Sequence, residues 1–157
     1  MAVTLTKTAR PYTMAKVALD ANVIIGWLDE GDSLNARSVE LIDRIHDSGD
    51  SSTLLDFTVA EAVSVICRRT VERKRNVPNL PSILDTVDEW FELKEIEFVQ
   101  KEIEVLYPDV LKIVRQSGGA LNFNDAALVA LQREGIIGEV ATFDATLASQ
   151  PDFRTVG

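Results

Sequence analysis

One cysteine and one histidine occur in 157 residues, and 16 lysines and arginines stand against 25 acids. A lone Cys67 excludes an intramolecular disulfide and suits a reducing compartment, so a cytoplasmic protein is the expectation. No apolar run approaches the length of a membrane span, and Met1 to Arg10 lacks the apolar core of a signal peptide. Membrane partners are therefore not expected. The net charge of −9 speaks against a phosphate-binding surface built from Lys and Arg. It leaves one exception: clustered acids can hold cations that carry the positive charge themselves. Internal repeats, linkers and low-complexity stretches are also missing. What remains is an ordinary globular composition, 46% hydrophobic and 26% charged, which predicts one domain over residues 16–157 behind a loose polar arm at 1–15.

The stretch from Lys16 to Asn22 organises the rest. Val17 and Leu19 alternate in a short apolar run that stops at a carboxylate, Asp20, and Val23, Ile24 and Ile25 follow after Asn22. This pattern predicts a buried parallel strand with Asp20 at its C-terminal end. In open α/β sheets that end is where ligands bind.

Downstream, strand and helix signals alternate. Leu34, Leu41, Ile42 and Ile45 share one face of a helix over Ser33–His46, which the turn cluster Ser48–Ser52 ends. Thr53–Phe57 predicts a second strand, and Thr58–Arg75 a helix with Val59, Val63, Ile66, Cys67 and Val71 inward. After Pro78 and Pro81 an amphipathic helix carries Ile83, Leu84, Val87, Trp90 and Phe91. Glu95–Val99 alternates as a third strand, and Ile103 to Val114 predicts a helix bent or split at Pro108 and stopped by Ser117-Gly118-Gly119. Asn122–Glu134 is a short helix closed by Gly135, and Glu139–Phe143 a fourth strand that runs into Asp144. The fold class that follows is α/β, a three-layer α/β/α sandwich with a mainly parallel central sheet. Trp27-Leu28 reads as exposed apolar surface.

Four acids fall at junctions of this pattern. Asp20 and Asp144 follow strands directly, while Glu61 in Thr58-Val-Ala-Glu61 and Asp125 in Asn122-Phe-Asn-Asp125 stand in expected first turns of helices. Singly, each has a plain structural explanation. The latter two spacings are those of capping boxes, and Asp20 and Asp144 suit strand-ending turns. Together they deliver four carboxylates towards one sheet edge, with Asn22 and Thr142 as polar support. An all-oxygen set without His or Cys suits Mg²⁺ or Mn²⁺, not zinc. His46 and Cys67 lie on helix faces that give them structural places. Arg68, Arg69, Arg73, Lys74 and Arg75 form the densest basic stretch. Its simpler explanation is a solvated helix end with cations favoured by the dipole, and an RNA-guiding strip of Arg68, Arg69 and Arg73 is the alternative.

In order and placement, Val17-Ala-Leu-Asp20-Ala-Asn22-Val-Ile-Ile, Thr58-Val-Ala-Glu61-Ala, Asn124-Asp125-Ala-Ala-Leu-Val-Ala and Ala141-Thr-Phe-Asp144 resemble the motifs of the PIN-domain family. The likeness is greatest to the VapC-type ribonuclease toxins of toxin–antitoxin pairs. That resemblance implies an endoribonuclease in which Asp20, Glu61, Asp125 and Asp144 bind one or two Mg²⁺ or Mn²⁺ ions and catalyse hydrolysis of RNA to a 5′-phosphate product. It implies further a homodimer and a small antitoxin that docks an amphipathic helix near the site. Two features depart from the family pattern. Thr146 stands where many relatives carry a further acid or Asn, with Asp152-Phe153 as a displaced echo, and the segment from Arg73 to Val99 is long.

Other classes fit less well. A phosphatase of the haloacid dehalogenase type needs a second acid where Asn22 stands, and a receiver domain needs a late Lys, but no Lys follows Lys112. Two alternatives stay open: a PIN fold serving as a non-catalytic interaction module, and a metal-dependent nuclease of RNA processing that is not a toxin.

Overall fold

The structure is a computed structural model that describes residues 16–72 and 80–157. Residues 1–15, with the expected arm, and residues 73–79, with Arg73, Lys74, Arg75 and Pro78, lie outside the described residues. Five strands form one sheet: β1 (Lys16–Leu19), β2 (Ser51–Leu55), β3 (Ile96–Glu97), β4 (Val140–Ala141) and β5 (Thr155–Val156). Their order is β3-β2-β1-β4-β5 and every pairing is parallel. The helices are α1 (Ala21–Leu28), α2 (Asn35–Asp47), α3 (Asp56–Glu72), α4 (Leu80–Glu92), α5 (Gln100–Gln116), α6 (Phe123–Arg133) and α7 (Ala145–Ala148).

Strand alternation divides the core. Val17 and Leu19 of β1 pack to one side with residues of α1, α2, α3 and α4, whereas Ala18 and Val140 pack to the other with α5, α6 and Leu147 of α7. The result is the expected α/β/α sandwich, with the sheet entirely parallel. β1 lies at its centre: the chain runs outward through β2 and β3 on one side, then returns to β4 and β5 on the other. The crevice between β1 and β4 is thus the topological switch point, where open α/β sheets place ligands.

Several local expectations are corrected. Asp20 caps a helix, α1, that starts immediately after β1, so the apolar run Val23–Ile25 is helical and fully inside. β2 ends at Leu55 and α3 begins at Asp56, two residues ahead of Thr58. The Thr58 hydroxyl is buried and donates to the Leu55 carbonyl at 3.1 Å, so there is no capping box and Glu61 sits in the second turn of α3. α5 passes unbroken through Pro108, which lies on its exposed side, where a carbonyl that loses its helical donor meets water. The third and fourth strands shrink to two residues each, and the short β5, carrying no alternation to read, closes the edge beside β4. Val71, Leu84 and Phe91 are exposed, because α3 and α4 bury narrower stripes than their apolar content suggests. Trp27 and Leu28, conversely, are half-buried: Trp27 stacks on Trp90 of α4 at 5.2 Å between ring centroids.

Two close approaches fix the layers. At Gly26 a Cβ would run into the Ser38 hydroxyl and lie 3.1 Å from the Leu34 carbonyl oxygen, so only glycine lets α1 and α2 touch. Asn35 Nδ2 donates to the Gly26 carbonyl at 2.8 Å across the same contact. On the other side Gln132, buried at the end of α6, donates to the carbonyls of Gly138 at 2.8 Å and Arg154 at 2.9 Å, and accepts from the Arg154 N–H at 2.8 Å. One side chain thereby ties α6 to the strands' approach segments. Gln132→Leu keeps the volume and strands these three backbone groups; thermal unfolding should show a loss of about 2–4 kcal/mol relative to wild type.

Candidate active site

The C-terminal end of β1 delivers Asp20 into the switch-point crevice, 6% exposed. Its Oδ1 accepts from the Ala21 N–H at 2.7 Å, which caps α1. Its Oδ2 accepts from Asn22 Nδ2 at 2.8 Å and from the Thr142 hydroxyl at 2.7 Å. Thr142 follows β4 and is itself a relay: its Oγ1 accepts from the Asp144 N–H at 3.0 Å and lies 3.2 Å from Asn22 Nδ2. Asn22 Oδ1 accepts from the Phe143 N–H at 3.2 Å, closing the link between the first turn of α1 and the loop after β4. Asn22 and Thr142 therefore stand in direct contact with Asp20.

The other three acids arrive from separate helices. Asp144 caps α7, its Oδ1 accepting from the N–H groups of Thr146 at 2.8 Å and Leu147 at 3.1 Å. Asp125 completes a true capping box on α6 with Asn122, both reciprocal bonds at 2.9 Å. Glu61 accepts from Asn124 Nδ2 at 2.7 Å through Oε2, which couples α3 to α6. Asn124 is a site neighbour that sequence reading quoted only as part of a motif; its place in the first turn of α6, beside Asp125, was the available signal.

These charges act on one another. Burial raises the Asp20 carboxyl from 3.8 to about 6; the Thr142 and Ala21 hydrogen bonds pull it down, and the charges of Asp125 and Glu61 push it up. Burial also raises Asp125, against the Asn122 backbone bond, with Asp144 and Glu61 adding to the rise. No Lys or Arg among the described residues forms an ion pair with any of the four; the two pairs present join Lys16 to Glu97 and Arg69 to Asp32. Equally, among the described residues no three His, Cys, Asp or Glu side chains are grouped closely enough to grip an ion. Each acid accepts from at least one protein donor. Asp125 Oδ1, Asp144 Oδ2 and Glu61 Oε1 nevertheless accept no hydrogen bond among the described residues. Free carboxylate oxygens without compensating cations are the donor chemistry a hard divalent ion takes, so the residues fit Mg²⁺ or Mn²⁺.

The basic candidates are placed elsewhere. Arg69 makes its ion pair with Asp32 at 2.6 Å, which favours a structural place; Arg68 is exposed towards the far end of α3. Arg73 lies outside the described residues.

The PIN domain profile matches residues 17–152, most of the chain. The chain belongs to the PIN domain family. PIN domains are mostly metal-dependent nucleases that typically use divalent ions. A search of curated proteins finds no match. In this PIN domain no helix of the described residues is long and apolar enough to cross a membrane.

A raised carboxyl pKa means that the folded protein binds more protons than the unfolded chain between the two values. Metal-free stability should therefore fall as pH rises from about 4 to about 6, by on the order of 3 kcal/mol from Asp20, and then level off. Asp125→Asn keeps an acceptor for the Asn122 N–H but removes a charge facing the other acids. Melting curves in EDTA should place this variant above wild type at pH 7.5, with a weaker pH slope. Mn²⁺ should raise the wild-type midpoint more than the variant's.

Proposed function

We propose that this PIN domain is an endoribonuclease dependent on Mg²⁺ or Mn²⁺ and the toxin half of a VapC-type toxin–antitoxin pair. The observation that carries the enzymatic part is the set of four carboxylates, in which Asp125 and Glu61 raise Asp20, and Asp144 and Glu61 raise Asp125, with no basic partner among the described residues. Uncompensated acids at the switch point of a parallel sheet weaken a fold unless a cation neutralises them. A divalent ion held there would lower the pKa of a water and neutralise charge on the phosphate. Asp20, oriented through Thr142 and Asn22, would be the fixed ligand; Glu61, Asp125 and Asp144 would complete the set with their free oxygens. No protein side chain needs to act as nucleophile.

The toxin assignment rests on the order of motifs, and a role in RNA processing would use the same site. A non-catalytic interaction module is the alternative on the same fold. Cleavage of structured RNAs decides between them. The expected result is activity with Mg²⁺ or Mn²⁺ that EDTA abolishes, and a fall of at least about a hundredfold in Asp20→Asn with its fold intact. Activity undiminished in EDTA would overturn the mechanism.

The same reading includes a homodimer and a small antitoxin. An open apolar furrow of about 650 Å³ is lined by Phe57, Phe98, Ile103, Tyr107 and Phe123, with Ala60 and Phe123 next in sequence to Glu61 and Asn124, and would be the face for a second copy. Phe98 is 57% exposed and Tyr107 49%. Light scattering should give a dimer mass for wild type and a monomer mass for Phe98→Glu. The antitoxin helix would take the smaller groove between α1 and α4, where Trp27, Leu28, Ile83 and Trp90 meet.

A further inference from the structure

The guanidinium carbon of Arg37 lies 4.4 Å from the centroid of the Phe143 ring. Phe143 stands between Thr142 and Asp144 and its N–H bonds to Asn22, so its backbone belongs to the acid site while its ring packs towards α2 beneath Arg37. Arg37 is exposed and forms no ion pair or hydrogen bond among the described residues.

Its position runs against local preference. Arg37 is the third residue of α2, where the positive end of the helix dipole disfavours a cation, and that first turn holds no acid. Asp32, just ahead of the helix, is already engaged by Arg69. An arginine in this place is held by the π-face of Phe143 alone. The backbone beneath it is rigid, since Gly26 against Ser38 and Asn35 to the Gly26 carbonyl fix α2 on α1. A cation so placed rests on the ring of the residue between Thr142 and Asp144 and pairs with no acid among the described residues.

We propose that Arg37, braced on Phe143, binds a backbone phosphate of the RNA next to the scissile one; this rests on the nuclease reading above. A guanidinium packed on a ring keeps in-plane N–H donors free at its edge, the geometry that meets two phosphate oxygens at once. It supplies a fixed positive charge there in a chain of net charge −9. The acids would hold the ion at the reacting phosphate, and Arg37 holds the strand that carries it.

The test is steady-state cleavage of a single-stranded RNA by the full chain with Mn²⁺, over a range of salt, for wild type, Arg37→Gln, Arg37→Lys, Phe143→Leu and Arg44→Gln. Arg44, an exposed cation towards the other end of α2, controls for charge alone. Arg37→Gln should raise KM about tenfold with kcat within about twofold, and the slope of log(kcat/KM) against log[salt] should shrink by about 0.7. Arg37→Lys should keep the wild-type slope but recover only part of the affinity. Phe143→Leu should raise KM with its melting midpoint within a few degrees, and Arg44→Gln should match wild type. Wild type that cleaves, with Arg37→Gln unchanged in KM and slope, overturns this proposal and leaves the nuclease reading standing. A KM unchanged in Phe143→Leu overturns it too, because the brace is then idle. Wild type that neither binds nor cleaves RNA overturns both.

Discussion

The Asp20 carboxylate accepts from two groups in the first turn of α1, the N–H of Ala21 and the amide of Asn22, and from one 122 positions away, the hydroxyl of Thr142. The architecture around the site depends on those bonds. The first starts α1 at the tip of β1, and the third joins the central strand to the segment that leaves β4. Thr142 passes the constraint on by accepting from the Asp144 N–H, so the cap of α7 is registered to the cap of α1. Asp125 and Glu61 enter from α6 and α3, which Asn124 couples. Both oxygens of Asp20 are thus engaged, whereas Glu61, Asp125 and Asp144 each hold a structural hydrogen bond through one oxygen and keep the other free of protein donors among the described residues.

Capping and burial conflict. A capping carboxylate stabilises its helix as an anion, yet the crevice of the switch point is dry enough to raise Asp20, and like charges nearby raise it further. The fold resolves the conflict by surrounding the site with stiff supports. Gly26 allows α1 and α2 to touch, the Trp27–Trp90 stack holds α4 against α1, and Gln132 pins the β5 edge. A divalent cation would remove the repulsion that these contacts otherwise sustain.

Much of this was legible in the residues. The alternation of Val17 and Leu19, the abrupt stop at Asp20 and the repeated strand-to-acid junction gave the parallel sandwich and the edge where the acids lie, because burial period and topology leave few other solutions. The capping box at Asn122 and Asp125 is present as its spacing suggested. The identical spacing at Thr58 and Glu61 misled, since a helix that starts at Asp56 is chosen by the tertiary contact of Asp56 with the Val99 N–H, which no local window contains. α1 was invisible for a related reason: eight residues that are apolar nearly all round carry no helical period. β5 could not be read because its ladder is two residues long and its register comes from β4 and Gln132. Arg37 carried no signal at all. Its meaning lies in a ring more than a hundred positions away.

The bond between Thr142 and Asp20 spans 122 positions. A chain emerging from the ribosome through the whole of α5 has Asp20 and Glu61 but neither Asp125 nor Asp144, and its central strand lacks the neighbour that completes the crevice. Parallel pairing across so long a loop also forms late, after local helices and the β1–β2 unit. The carboxylates are therefore brought together only when nearly the entire domain has been made and closed. For the nuclease proposed above, this order of assembly would act as a built-in delay: a partly folded chain carries some of the acids but no assembled site.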